Sequence, residues 1–325
     1  MQKIEKLLQK RAAELLAEGT VEHVLAWQAG EFFYDNTPAA VSSADECDKL
    51  VYNEFCPANL CKYLIETSHA GKKTAVFLKP CDTYGVNQLL KDNRIKRELV
   101  YAIGTPCSGM LDINKIKAAG AKGIISVSVD CEEVVVNTAY GEKRLAKADV
   151  LLNKCLMCKG AAYKIADEEL AEPLPVPQFT GDKFAKVKEI EAMSAEERFA
   201  FWQSELSKCI RCNACRNVCP ACSCRKCVFD STKFDSAQKA NVDDFEEKMF
   251  HIIRAFHVAG RCTDCGECSR VCPQHIPLHL LNRKFIKDID EFYGEYQAGA
   301  DTDSRAPLTN FTQEDVEPSI VKERG

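Results

Sequence analysis

The first nineteen residues, "MQKIEKLLQKRAAELLAEG", mix charged and apolar positions in an amphipathic pattern. That pattern predicts a helix from about Gln2 to Ala17, closed by Gly19. Short apolar runs then alternate with helical patterns: "TAVFL" (Thr74 to Leu78), "LVYAIG" (Leu99 to Gly104) and "GIISVSV" (Gly123 to Val129). "EEVVVNTAYGEKR" reads as a strand running into a turn. Strands separated by helical stretches argue for an α/β domain over residues 1–165, a mixed or mostly parallel sheet covered by helices.

Residues 166–193 form a linker, because Pro173, Pro175 and Pro177 in "AEPLPVPQFTGD" can continue neither a helix nor a central strand. A helical domain follows over residues 194–297. Ser194 and Glu197 stand in capping-box spacing. Phe199, Trp202 and Leu206 recur on one face of the helix that feeds Cys209. "NVDDFEEKMFHIIRAFHVAG" predicts a second helix, with Phe245, Met249, Ile252 and Phe256 as its apolar stripe and Gly260 as its stop. These aromatics are read as core packing rather than as a cofactor box. Residues 298–325 are polar and interrupted by proline, and read as an extended C-terminal tail.

Composition narrows the function. The hydrophobic fraction of 46% and charged fraction of 28% are those of a globular domain, and a net charge of -5 gives no basic face for nucleic acid. No apolar run approaches the ~18 residues of a membrane span, and the N-terminus lacks a secretory signal pattern, so the expected location is cytoplasmic. The departure is the count of 19 cysteines. In a reducing compartment clustered cysteines ligate metal rather than form disulfides, and iron–sulfur chemistry in an anaerobic setting follows.

Cys209, Cys212, Cys215 and Cys219, followed by Pro220, read C-x2-C-x2-C-x3-C-P, and Cys262, Cys265, Cys268 and Cys272, followed by Pro273, repeat it. Three thiolates two residues apart wrap one [4Fe-4S] cubane, while the fourth, set by the proline, points to the other. The spacing therefore assigns Cys209, Cys212, Cys215 and Cys272 to one cluster, and Cys262, Cys265, Cys268 and Cys219 to a second. The long helical connection between the motifs resembles the dicluster ferredoxin modules of succinate dehydrogenase iron–sulfur subunits and heterodisulfide reductase C subunits.

In the first half, Cys81 follows one predicted strand and Cys107 the next, so both emerge at one sheet edge if the strands are parallel neighbours. Cys155 and Cys158 add a C-x2-C pair, and geometry permits a four-thiolate site. The stretches "EGTVEHVL", "CPANLCKYL", "FLKPCDTYGVNQLLKDNRIKRELVYAIGTPCSG" and "CLMC" resemble the coenzyme F420 hydrogenase/dehydrogenase β-subunit family. That resemblance implies Cys81, Cys107, Cys155 and Cys158 as ligands of a third cubane. It also implies FAD, for which no residue is identifiable. "IGTPCSG" is too short for a dinucleotide fingerprint and gives NAD no support.

Cys222, Cys224 and Cys227 divide evenly between ligands, of zinc or a further cluster, and buried packing residues. Cys47, Cys56, Cys61 and Cys131 are candidates for a fourth ligand to that group but read as packing, and His251, His257, His275 and His279 read as helical-surface or satisfied core positions with no assigned role. No Ser/His/Asp arrangement or phosphate-cradling loop is present. The expected function is an electron-transfer subunit of a larger redox complex. The resemblance implies a hydrogenase, formate dehydrogenase or heterodisulfide-reductase-like flavoprotein as partner. Two alternatives stand beside it: an FAD-containing subunit that itself turns over a soluble two-electron carrier, and a zinc-stabilised structural subunit in which the dicluster wire alone is redox-active.

Overall fold

The computed structural model describes residues 1–225, 227–230 and 244–309. Helix α1 (Gln2–Ala17) covers the predicted range and turns Ile4, Leu8, Ala12 and Leu15 inward at three- and four-residue steps. Gly19, at φ +66°, ends it. Strands β1 (His23–Gln28) and β2 (Thr37–Val41) come next, followed by α2 (Leu64–His69), β3 (Thr74–Leu78), α3 (Pro80–Lys91) and β4 (Val100–Gly104). Then come α4 (Ile113–Ala118), β5 (Ile124–Asp130), β6 (Glu133–Thr138), β7 (Gly141–Ala146), α5 (Lys147–Val150) and the two-residue β8 (Glu168–Glu169).

The main sheet runs β2-β1-β3-β4-β8, with β1–β2 antiparallel and the other pairs parallel. It is the mixed, helix-covered sheet that the sequence predicts. Every residue of β3 is buried, which is why "TAVFL" reads as a continuous apolar run rather than an alternation. Leu78 pairs with Gly104, so β3 and β4 end level with each other. The core beneath is built around Trp27, Tyr52 and Phe77.

β5 does not join this sheet. With β6 and β7 it forms a separate antiparallel three-stranded meander, its residues alternately half-buried and exposed. A strand wetted on one face cannot sit inside a parallel sheet covered on both.

The second half is helical: α6 (Ala185–Glu191), α7 (Ala195–Leu206), α8 (Ala214–Asn217), α9 (Asp244–His257), α10 (Glu267–Arg270) and α11 (Leu278–Tyr293). Both hydrogen bonds of the predicted capping box form, Glu197 N to Ser194 Oγ at 3.2 Å and Ser194 N to Glu197 Oε2 at 2.9 Å. The apolar stripes turn out differently. Leu206 is buried and Trp202 half-buried, but Phe199 is exposed, and so are Met249, Ile252 and Phe256; the side chain of Phe245 lies outside the described residues. The inward face of α9 is instead Phe250, His251, Arg254 and Ala255, because the interior it meets is lined by cysteines and backbone carbonyls as well as by hydrocarbon.

The proline linker has no regular structure over 173–180 but is not detached, since Leu174 packs on the main core and Pro177 lies against Gly109. The start of the expected tail folds back instead of extending. Ala298 and Ala306 are buried, Asn87 of α3 donates to Gly299 O at 3.1 Å, and Lys91 donates to Ser304 Oγ at 3.0 Å. Residues 310–325 lie outside the described part. Among the described residues no helix is long and apolar enough to cross a membrane.

Gly299 adopts φ +76°, and a Cβ there would collide with the carbonyl oxygen of Tyr84. Gly299→Ala is therefore expected to destabilise by more than about 1 kcal/mol and to free the segment after α11. Anaerobic thermal unfolding with limited proteolysis checks this; an unchanged melt and cleavage pattern would show that the contact is dispensable.

Candidate metal centres

The first site is made by the sheet. β3 ends at Leu78 and turns through Lys79 into α3, placing Cys81 in its first turn; β4 ends at Gly104 and leads to Cys107. Because the two strands are parallel neighbours that end level, both thiols reach the same carboxyl edge. Cys155, on a short helical turn, and Cys158 close the circle, and all four cysteines line one cavity. Backbone amides point at two of the sulfurs, Gly109 N at Cys107 Sγ (3.4 Å) and Met110 N at Cys155 Sγ (3.3 Å). Cys265, from the other half of the chain, lines the same cavity.

The two repeated motifs fold alike. Arg211 and Asn213 adopt left-handed φ of 53° and 61°, and Asp264 and Gly266, at the same places in the second motif, adopt 53° and 69°. These turns coil the loop so that successive thiols face inward, and α8 and α10 then start at equivalent positions. Gly266 is required on a second count, because a Cβ there would stand 2.8 Å from Lys154 Cβ. Cys209, Cys212, Cys215 and Cys272 line one cavity, with Arg211 N donating to Cys209 Sγ at 3.4 Å. Cys219 crosses to the other loop: it packs with Cys262, and its charge is felt by Cys262, Cys265 and Cys268. The juxtaposition expected from the spacing is thus present at both loops.

Burial pushes the thiols of Cys107, Cys265 and Cys268 up to about 12, so without a bound cation they are neutral. A metal centre must displace those protons, which makes its binding proton-coupled. Four residues without an assigned role in the sequence stand beside the thiols. His251 Nε2 is 3.2 Å from Cys209 Sγ, and burial, with Arg254 and Arg211 nearby, lowers the imidazole to about 3, keeping it neutral. Arg254 is buried, donates to Cys215 O at 3.0 Å, and lies in the field of Cys219, Cys215 and Cys268. Lys154, directly before Cys155, pairs with buried Glu267, directly before Cys268, at 2.6 Å. The signal for the α9 pair is two polar residues three apart, His251 and Arg254, in the otherwise apolar run from Met249 to Phe256; nothing local marks Lys154 and Glu267.

Residues 205–276 match the model of the 4Fe-4S dicluster domain. The β subunit of F420-dependent formate dehydrogenase from Methanocaldococcus jannaschii is 26% identical, over 91% of this chain and 92% of that one. Subunit β of F420-dependent formate dehydrogenase 1 from Methanococcus maripaludis is 24% identical over 90% of each. This chain is a homologue of those β subunits and carries a 4Fe-4S dicluster domain. A chain of the F420-reducing [NiFe] hydrogenase complex from Methanosarcina barkeri aligns at 13% identity and a TM-score of 0.41, covering 64% of this chain and 90% of that one.

The donor sets fit cubanes. Thiols ring open cavities, backbone amides aim at the sulfurs, and a buried guanidinium faces both dicluster loops with its Nε lacking any partner in the described protein. Cys222, Cys224 and Cys227 line a further cavity. Cys47, Cys56 and Cys61 are buried in the main core, Cys61 with its thiol 2.9 Å from Asp82 O. Cys131 is exposed at the β5–β6 turn at φ 53°, so packing does not account for it. His257 and His275 are exposed, and His279 bonds Ser269 at 2.8 Å.

Burial alone would raise the Glu267 carboxyl, but Lys154 and Arg270 outweigh it and hold it well below its ordinary 4.5. A depressed carboxylate contributes stability that is complete above the ordinary value and is lost as pH falls below it. Glu267→Gln, which strands Lys154, is expected to cost about 3–5 kcal/mol at neutral pH and to flatten the acid limb of the stability profile. Denaturant titration of the anaerobic protein across pH 2–7 measures both; a loss under about 1 kcal/mol at neutral pH would reduce the pair to a surface-like contact.

Proposed function

We propose that this chain is the electron relay of an F420-type oxidoreductase complex, carrying single electrons along three cubanes in a set order. Cys81, Cys107, Cys155 and Cys158 hold the first in line; Cys262, Cys265, Cys268 and Cys219 the middle one; and Cys209, Cys212, Cys215 and Cys272 the last. The observation that carries this order is Cys265: a ligand candidate of the middle cluster lines the cavity of the sheet-edge site. Arg254, in the field of Cys215, Cys219 and Cys268, spans the next step. Cys212 and Ile210 at the far loop are exposed, which suits exchange with another protein there.

The names of the homologues support a catalytic subunit of the formate dehydrogenase type as one partner. A heterodisulfide-reductase-like flavoprotein suits the other end. The chain's own part is to hold the thiolates, exclude water and tune each potential through amide donors and buried cations. The division into an α/β domain over 1–165 and a ferredoxin domain over 194–297 is kept as a description of two cluster-bearing halves joined by the linker.

Cys155→Ala is expected to lower iron and acid-labile sulfide by about four each per chain while the dicluster spectrum persists. Unchanged iron would remove the sheet-edge cluster from the relay. Arg254→Gln is expected to move both dicluster potentials to more negative values by on the order of 60 mV, a tenfold change in a one-electron equilibrium, with Arg254→Lys retaining most of the parent value. Spectroscopic redox titration decides, and potentials that stay put would sink the role given to Arg254.

A further inference from the structure

Cys222, Cys224 and Cys227 line a cavity of about 180 Å³ that the three-cluster relay does not use. Its walls are basic. Lys62, Arg216, Arg225, Arg254 and Arg261 face it, against one carboxylate, Asp230, among the described lining residues. Arg216 pairs with Asp230 at 2.8 Å, and Arg261 with Asp92 behind the wall at 2.6 Å. The bonds described for Lys62 go to main-chain carbonyls, Arg216 O at 2.9 Å and Cys222 O, and Arg254 bonds Cys215 O while its Nε has no partner in the described protein. Buried positive charge without a counter-charge is costly. The cavity is thus built for an anion, and three thiols are already in its wall.

A thiolate-held iron–sulfur cluster meets both conditions, because its core and its thiolates together carry net negative charge in either oxidation state. A single zinc ion meets them less well. Zinc holds each sulfur at about 2.3 Å, which draws its thiols to within about 4 Å of one another. Among the described residues no three Cys, His, Asp or Glu side chains converge tightly enough for one ion. That openness is shared with the three thiol sites already described. A cavity of about 180 Å³ lined by three thiols suits a cubane.

We infer that Cys222, Cys224 and Cys227 hold a fourth [4Fe-4S] cluster through three thiolates, its charge matched by Lys62, Arg254 and the other cations of the cavity. The fourth corner has no cysteine of its own in the lining. Cys222 packs against the hydrophobic cluster that holds Cys219, a thiol of the middle site, and donates its amide to Cys219 O at 3.1 Å, so the fourth cluster takes single electrons from the relay at short range. Cys224 is exposed, which gives the relay a second outlet at the surface. The inference rests on the iron–sulfur reading of the chain but on different cysteines.

The test uses the full chain, purified and kept anaerobic. The double variant Cys224→Ala/Cys227→Ala is expected to lose about four irons and four sulfides per chain and to keep the dicluster and sheet-edge signals that Cys155→Ala divides. Iron and sulfide equal to the parent's would overturn the inference. So would stoichiometric zinc in the parent that disappears in the double variant. Should that variant not fold, iodoacetamide labelling of the parent decides: Cys222, Cys224 and Cys227 are expected to resist alkylation until the clusters are chelated away, and prompt alkylation in the intact protein refutes the site. Loss of the Cys155→Ala effect alone would remove the third cluster and leave this result standing.

Discussion

The ion pair between Lys154 and Glu267 sits at the joint on which the arrangement of the thiol sites depends. Glu267 is buried and the Lys154 side chain is 9% exposed, and each is the chain neighbour of a cysteine, Cys155 on one side and Cys268 on the other. Taking two charges out of water is expensive, and the attraction between them offsets that cost only when geometry and further hydrogen bonds are good. Here they are: Lys154 also donates to Pro57 O at 2.6 Å, and Glu267 accepts from Asn59 N at 3.2 Å and from Arg270 at 2.7 Å. An apolar pair would hold the halves together over a range of registers. A charged pair with fixed partners holds one, and that register is what places Cys265 in the sheet-edge cavity.

The rest of the joint is polar in the same way. Arg261 grips Asp92 at the end of α3, Lys62 reaches the carbonyls of the first motif, and Lys159 donates to Thr263 O. Cations therefore gather where thiolates gather. Burial raises the thiols, which opposes the charged state that a cluster requires, and guanidinium and ammonium groups nearby oppose that rise. The protein separates two tasks: the cysteine loops supply ligands, and residues from other elements supply the counter-charge.

α9 shows what this costs elsewhere. Its inward face is committed to Phe250, His251 and Arg254, so Ile252 and Phe256 face outward with Phe199 of α7. A helix read by hydrophobicity alone comes out rotated, because the interior it packs on is partly sulfur and carbonyl. Its sequence marks His251 as an ordinary helix position, yet the imidazole stands 3.2 Å from a candidate ligand.

By itself the sequence determined what depends on neighbours along the chain: α1 to its ends, the buried strand Thr74–Leu78, the Ser194–Glu197 cap and both cysteine loops. Spacing carries that information, since a helix period, a capping box or a C-x2-C-x2-C loop closes over a few residues. The pairing of Cys81 with Cys107 needed one tertiary premise, parallel neighbouring strands, and followed once that was granted. Tertiary structure alone decided the separate β5–β7 meander, the outward stripe of α9, the return of residues 298–309 onto α3, and the meeting of Lys154 with Glu267. Each is a contact between residues far apart in the chain, made favourable by burial and charge that no local window contains.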